Sequence, residues 1–310
     1  MKISYSAPAK VIFSGEHAVV YGKPAFVSAL NLRLKFTLWP SKKQNSDETI
    51  LTISKLIKNY LKEQKIKFSD QNFNYQIVSD IPVSRGLGSS AALSVAAAAC
   101  FLTLYCHQKF SRRLIDVLAY QIEKFFHKNP SGVDNCVSFH GGLIYYRKEF
   151  EFLKNFTKLK AKIPKEIENK LYLIDTGKPE ESTKEMIQKV KTLFKNKKKQ
   201  LTEILSQIEE NTKNIVKALI LKNHQLLIDN LWQNEINLEK LGVVSSKTKK
   251  LLVKLHPYGR GKITGAGGQK QGSGFLIFYA KNNNFEKFCQ TNQLKVIKFQ
   301  PSYLGLKKEL

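Results

Sequence analysis

Apolar and polar positions along the chain change period several times, and each change marks an element. Residues 2–14 alternate loosely and stop at Gly15, which predicts a strand ending in a turn. Residues 24–37 form a second β-rich run and 73–78 a third. Between those two, 40–67 is polar and Lys-rich, with Ile50, Leu51, Ile53, Leu56, Ile57 and Leu61 at helical spacing. The Ala-rich stretch 91–104 predicts a helix. Ser111 is placed to cap another that runs to about His127, carrying Leu114, Leu118, Ile122 and Phe125. Gly141 and Gly142 precede a strand at 143–146. Residues 150–170 are basic and weakly patterned, and read as a connection between domains. An apolar strand at 171–175 restarts the order, and helical spacing then dominates 181–255, with breaks near 195–199 and Gly242. A Gly-rich segment, 259–274, leads into a strand at 275–279. No internal repeat is visible.

Length and composition sharpen this picture. At roughly 150 residues per domain, 310 residues favour two domains. A 42% hydrophobic and 11% aromatic content is enough for a packed core and excludes a mainly disordered or low-complexity chain. The charge is extreme: 51 Lys+Arg against 25 Asp+Glu gives +26. That invites a nucleic-acid partner, since phosphate contacts draw cations to one face. The cations argue back, because 45 are Lys and only 6 are Arg, and no aromatic residues interleave them as a stacking platform needs. A solvated Lys-rich surface is the expectation, with no nucleic acid bound. Cys100, Cys106, Cys136 and Cys289 include no CxxC pair and no zinc spacing, so they read as reduced, mostly buried thiols. No signal-type segment opens the chain, and the longest apolar stretch, 91–106, is too short to span a bilayer. A cytoplasmic protein with no membrane partner is expected.

Four features carry candidate chemistry. Residues 82–92 run Pro-Val-Ser-Arg-Gly-Leu-Gly-Ser-Ser-Ala-Ala, a glycine-rich turn opening straight into a helix. Unpaired N–H groups and the positive dipole end make such a junction an anion site; a tight turn into a core helix is the other reading. It is neither a GxxxxGK[ST] nor a GxGxxG loop. Residues 129–135, Asn-Pro-Ser-Gly-Val-Asp-Asn, put Asp134 in a punctuated loop, as a turn former or as a base. Glu123 lies on a helix beside Ala119, Tyr120 and Phe126, either at an edge or held inward for a metal. Residues 264–268, Thr-Gly-Ala-Gly-Gly, form a second Gly-rich loop, and His17 sits in the Gly15-Glu16-His17 turn. In chain order, the Gly-rich helix start, Glu123, the Asp134 loop and the second Gly-rich loop supply what phosphoryl transfer from a nucleotide needs: a phosphate cradle, oxygen ligands for Mg²⁺, a base and an enclosure.

The motifs resemble those of the GHMP kinases, and within them the mevalonate kinase family. The opening stretch Ser6-Ala7-Pro8-Ala9-Lys10 through Gly15-Glu16-His17-Ala18-Val19-Val20-Tyr21-Gly22 and the 129–135 loop are of mevalonate kinase type. Gly86-Leu87-Gly88-Ser89-Ser90-Ala91-Ala92 is similar to the phosphate loop of the whole group, Asp175-Thr176-Gly177 to the start of its second domain, and 264–268 to its third motif. The resemblance spans residues 6–274 in the group's order. It implies an α+β fold of two domains, 1–165 and 166–310, with the site in the cleft between them. It also implies a cytoplasmic enzyme using ATP and Mg²⁺ to phosphorylate the C5 hydroxyl of mevalonate, in a family whose members often form homodimers.

Carried over by position, Asp134 accepts the proton of the substrate hydroxyl, and Lys10 beside it counters charge there and on the moving phosphoryl. On the same resemblance Arg85, Gly86, Leu87, Gly88, Ser89, Ser90 and Ala91 would hold the ATP phosphates. Ser90 and Glu123 would likewise bind Mg²⁺, and Glu16, His17, Thr183, Gly265, Ala266 and Gly267 would place and enclose mevalonate. Two departures stand out. Ser84 and Arg85 replace the usual Gly or Ala, leaving Arg85 to reach phosphate or solvent, and Gln269-Lys270-Gln271 interrupts the third loop. Another GHMP kinase, such as one acting on phosphomevalonate or a different mevalonate hydroxyl, remains the enzymatic alternative, and a nucleic-acid-binding protein the non-enzymatic one.

Overall fold

The structure, a computed structural model, describes residues 2–43, 45–106, 110–127, 130–151 and 153–309. The first half contains β1 (Ile3–Ser14), a 3₁₀ turn (Ala18–Tyr21), β2 (Ala25–Pro40), α1 (Glu48–Glu63), β3 (Phe73–Ser79), α2 (Ser89–Tyr105), α3 (Arg112–His127), α4 (Val133–His140), β4 (Leu143–Lys148), β5 (Lys154–Leu159) and α5 (Lys165–Glu168). The second contains β6 (Leu171–Asp175), α6 (Thr183–Leu193), α7 (Lys198–Ile220), α8 (His224–Lys240), α9 (Ser246–Leu255), β7 (Gly259–Ile263), β8 (Phe275–Ala280), α10 (Asn284–Thr291), β9 (Val296–Lys298) and β10 (Lys307–Lys308). Among the described residues the strands make two sheets, ordered β10-β1-β2-β4-β5, with β3 also on β2, and β7-β8-β6-β9. The fold is α+β.

Local chemistry explains most boundaries. Asp47 caps α1 by accepting Ile50 N–H at 2.9 Å, and Ser111 caps α3 by accepting Leu114 N–H at 3.2 Å. α6 opens on a full capping box between Ser182 and Glu185. β1 is buried on both faces, so it reads as a nearly continuous apolar run rather than a strict alternation. The alanines of α2 let it lie close on β1 and β2, where it is buried almost throughout. Phe101, fully buried on α2, packs edge-on to Phe73 with ring centroids 4.9 Å apart and also meets Phe36 and Tyr105.

Three segments differ from the sequence expectation. The basic connection at 150–170 contains β5, an edge strand whose side chains are mostly exposed, so no apolar pattern announced it. The Asp134 loop becomes helix α4 at Val133, after Gly132 at φ 88°. The Gly-rich run 259–274 begins as strand β7, because Gly259 and Gly261 let the backbone of β8 and the Phe278 ring come close.

Residues after 299 return to the larger sheet. Ser302 N–H donates to Ala29 O at 2.9 Å, Gly142 N–H to Ser302 O at 2.8 Å, and β10 pairs with β1 at Tyr5 and Ser6. Arg33 holds this tail by donating to Gly305 O at 2.7 Å. All four cysteines are free and buried, and among the described residues no helix is long and apolar enough to cross a membrane. Replacing Phe101 by Ala is expected to cost about 3–5 kcal/mol of unfolding free energy, measured by urea denaturation.

Candidate active site

The site assembles where β1, the N-terminus of α2 and the β7–β8 loop meet. β1 lends Lys10, whose N–H donates to Leu87 O at 2.9 Å and so ties the strand to the phosphate loop. That loop turns on Gly86 and Gly88, at φ 84° and 76°. A Cβ on Gly86 would run into the Thr264 carbonyl, and one on Gly88 would lie 2.8 Å from Lys10 Cγ. The glycines therefore supply both the turn and the room for neighbours. Gly86, Gly88, Ser89 and Ser90 line a cavity of about 370 Å³, together with Lys178, Thr183 and residues of the third loop. Leu87 and Ala91 are buried behind them. The first N–H groups of α2, with no earlier carbonyl in the helix to bond, make this cavity suited to phosphate.

Asp134 stands in the first turn of α4, one third exposed, with Oδ1 3.3 Å from the buried Lys10 ammonium. Asn129, at the start of its motif, lies outside the described residues. Asp134 lines a second, smaller pocket of about 90 Å³ with Glu16, His17, Val19, Val20, Val133, Thr183, Ile187, Gly265 and Ala266. His127, Thr183 and Ala266 line both cavities. The two spaces therefore adjoin at these three residues, with the phosphate loop on the larger and Asp134 on the smaller.

Glu123 points inward and is only 2% exposed. Its Oε1 accepts Ser90 Oγ–H at 3.0 Å and its Oε2 accepts Ser94 Oγ–H at 3.1 Å. Burial, and next the charge of Asp134, push its carboxyl up to about 7. Two carboxylates near one lysine form a site short of positive charge, and the Ser90 and Glu123 oxygens are the hard donors a Mg²⁺ ion prefers. His127, one turn beyond Glu123 on α3, lies 3.1 Å from Ser90 Oγ and 3.3 Å from Glu123 Oε1. The sequence reading passed over it; its i+4 spacing from Glu123 was the available signal.

His17 adopts φ 59°, and its Nε2 lies 3.0 Å from Ala266 O, joining the opening motif to the third loop. Burial lowers it to about 4, so it is neutral at physiological pH. Glu16 is buried against Lys262, and neither Lys262 nor Glu235 behind it was singled out from sequence. Arg85 also lines the larger cavity, but its guanidinium pairs with Asp175 at the end of β6, while its carbonyl accepts Phe275 N–H at 3.1 Å. Gln269 and Lys270 fold back onto the start of α6, with Lys189 Nζ donating to Gln269 Oε1 at 2.9 Å and Lys270 paired to Glu180 at 3.4 Å. Gly265 approaches Gly86 closely, and Gly267 lines the larger cavity, so the interrupted third loop still closes over the site.

Comparison with known proteins agrees with this geometry. Residues 51–142 match the GHMP kinases N terminal domain. The chain is similar to the mevalonate kinase of Thermococcus onnurineus (31% identity, covering 86% of this chain and 87% of the relative). It is also similar to that of Pyrococcus horikoshii (30% identity, 85% of each). Among solved structures, Methanococcus jannaschii mevalonate kinase superposes with a TM-score of 0.74 at 23% identity, over 97% of this chain and 98% of the other. L. major mevalonate kinase in complex with R-mevalonate gives 0.74 at 20% identity, over 96% and 95%. On the strength of the curated relatives, matched over more than four fifths of their length, the chain belongs to the mevalonate kinase family.

Proposed function

We propose that the chain transfers the γ-phosphoryl group of ATP to the C5 hydroxyl of mevalonate, giving 5-phosphomevalonate and ADP in isoprenoid biosynthesis. The observation that carries this is the Lys10–Asp134 pair, 3.3 Å apart, with Asp134 in the wall of a small, partly apolar pocket that shares His127, Thr183 and Ala266 with the phosphate-type cavity. A hydroxyl in the smaller pocket meets the Asp134 carboxylate, which takes its proton as the oxygen attacks phosphorus. The Lys10 ammonium and the N–H groups opening α2 neutralise charge on the phosphoryl oxygens. Ser90 and Glu123 are the residues that would hold Mg²⁺, which shields the ATP phosphates when bound. Closure by Ala266 and Gly267 keeps water, a competing acceptor, away from the phosphoryl group. The active cleft then lies between units of residues 1–165 and 166–310, the second lending its tail to the first sheet. The reading is of a cytoplasmic enzyme whose partners are ATP, Mg²⁺ and the small alcohol.

A narrow pocket walled by Val19, Val20, Val133 and Ile187 favours mevalonate over the bulkier, more anionic phosphomevalonate. The direct test is ADP release from purified protein with ATP, Mg²⁺ and each alcohol in turn. Mevalonate is expected to be turned over well above the others; equal rates with phosphomevalonate would reject the assignment.

Two further outcomes follow from the same geometry. Asp134→Asn is expected to lower kcat by about 10²–10⁴-fold while circular dichroism stays that of wild type. For Glu123 the sign runs through its raised folded-state value of about 7. Below that pH the carboxyl keeps its proton in the metal-free protein, and a cation must displace it. The free Mg²⁺ needed for half-maximal rate is therefore expected to rise by up to about tenfold per pH unit below 7 and to level off above it. Glu123→Gln should remove this dependence, as read from Mg²⁺ titrations at several pH values.

A further inference from the structure

Behind the smaller pocket lies a set of buried charges that the transfer chemistry does not use. Lys262, on β7, is fully enclosed, and its ammonium donates to Glu16 Oε1, to Ile263 O and, at 3.3 Å, to Ile12 O. An ammonium carries three protons, so all three are engaged. Glu16 lines the pocket, yet its other oxygen, Oε2, is buried with no donor among the described residues. Glu235, on α8, accepts Ile263 N–H at 2.8 Å through Oε2. An acceptor buried without a donor is costly, so Glu16 Oε2 is an acceptor whose demand this cluster leaves unmet.

The charges around Glu16 assign the partners. Burial pushes Glu16 up, and Lys262 is the strongest force holding it down, with Lys10 on β1 adding less. Burial raises Glu235 to about 8, so it is neutral near pH 7 and does not compete for the ammonium. His17, next in sequence, is neutral as well. The positive charge of Lys262 therefore serves Glu16.

We propose that Lys262 is a positioning residue for the acceptor alcohol: it fixes Glu16 as a carboxylate, leaving Oε2 to accept from a substrate hydroxyl other than the one phosphorylated. The inference rests on the mevalonate kinase reading above and adds to it a residue that acts only through Glu16.

The test is steady-state kinetics with mevalonate and ATP between about pH 5.5 and 9 on wild type, Lys262→Gln, Lys262→Arg, Glu16→Gln and the Lys262→Gln/Glu16→Gln double variant. Glu16 accepts most strongly when ionised, and without Lys262 it keeps its proton to higher pH. Lys262→Gln is thus expected to raise KM for mevalonate about tenfold or more with KM for ATP unchanged. It should also move the acid-side loss of kcat/KM upward by about one pH unit or more. Lys262→Arg, which keeps the charge, should leave that limb where wild type has it. The double variant, which buries neither charge and so folds even if Lys262→Gln does not, should be no worse than Glu16→Gln alone. A Lys262→Gln protein with unchanged KM and pH profile would overturn the proposal, as would effects that multiply in the double variant. Wild-type protein that leaves mevalonate unphosphorylated would overturn the parent reading and this one with it.

Discussion

Among the contacts that tie the opening strand to the third loop, one buried hydrogen bond sets the arrangement of the site. Ile12 N–H, near the end of β1, donates to Thr264 Oγ1 at 2.8 Å, and Thr264 is wholly buried at the entrance to the third loop. Two residues earlier, the Lys10 N–H donates to Leu87 O in the phosphate loop. The same short piece of strand therefore carries the backbone anchors of both Gly-rich loops and, in Lys10, the cation that meets Asp134. Buried backbone donors have to be paired, so the relative placement of these loops is set by strand geometry rather than by flexible side chains. The glycines follow from this constraint, since any side chain on Gly86 or Gly88 would collide with Thr264 or Lys10.

Much of this was legible in the chain. The phosphate loop, Asp134, Glu123 and the third loop stood out because each is a short, contiguous signal: glycines before a helix, an acid after a punctuated turn, an acid on an apolar face; Lys10 came only from the resemblance of the opening stretch. What escaped detection is non-local. Lys262 and Glu235 look like ordinary members of a strand and a helix until the fold sets them against Glu16, some 220 or more residues away in sequence. Arg85 could not be assigned because its partner, Asp175, belongs to the other sheet. β5 was missed for a different reason: an edge strand with exposed side chains has no apolar period to read.

The electrostatics of the cleft contrast with those of the exterior. Inside, acids and bases are nearly balanced, with Lys10 against Asp134 and Lys262 against Glu16, and Glu123 left as an acid without a cation of its own. The large excess of lysine lies elsewhere, so the net charge sets a long-range field attractive to anionic substrates without crowding the reacting atoms.

Some of that excess also sits at the ends of the larger sheet. Lys154 and Lys158 lie on β5, and β10 consists of Lys307 and Lys308, so both ends of the strand path carry cations. An open sheet end offers unpaired backbone groups to any passing strand, and flanking lysines make a second copy pay twice, in repulsion and in desolvation. The surface charge thus has a colloidal consequence: it keeps a protein with long, apolar central strands from adding its neighbours to its own sheet.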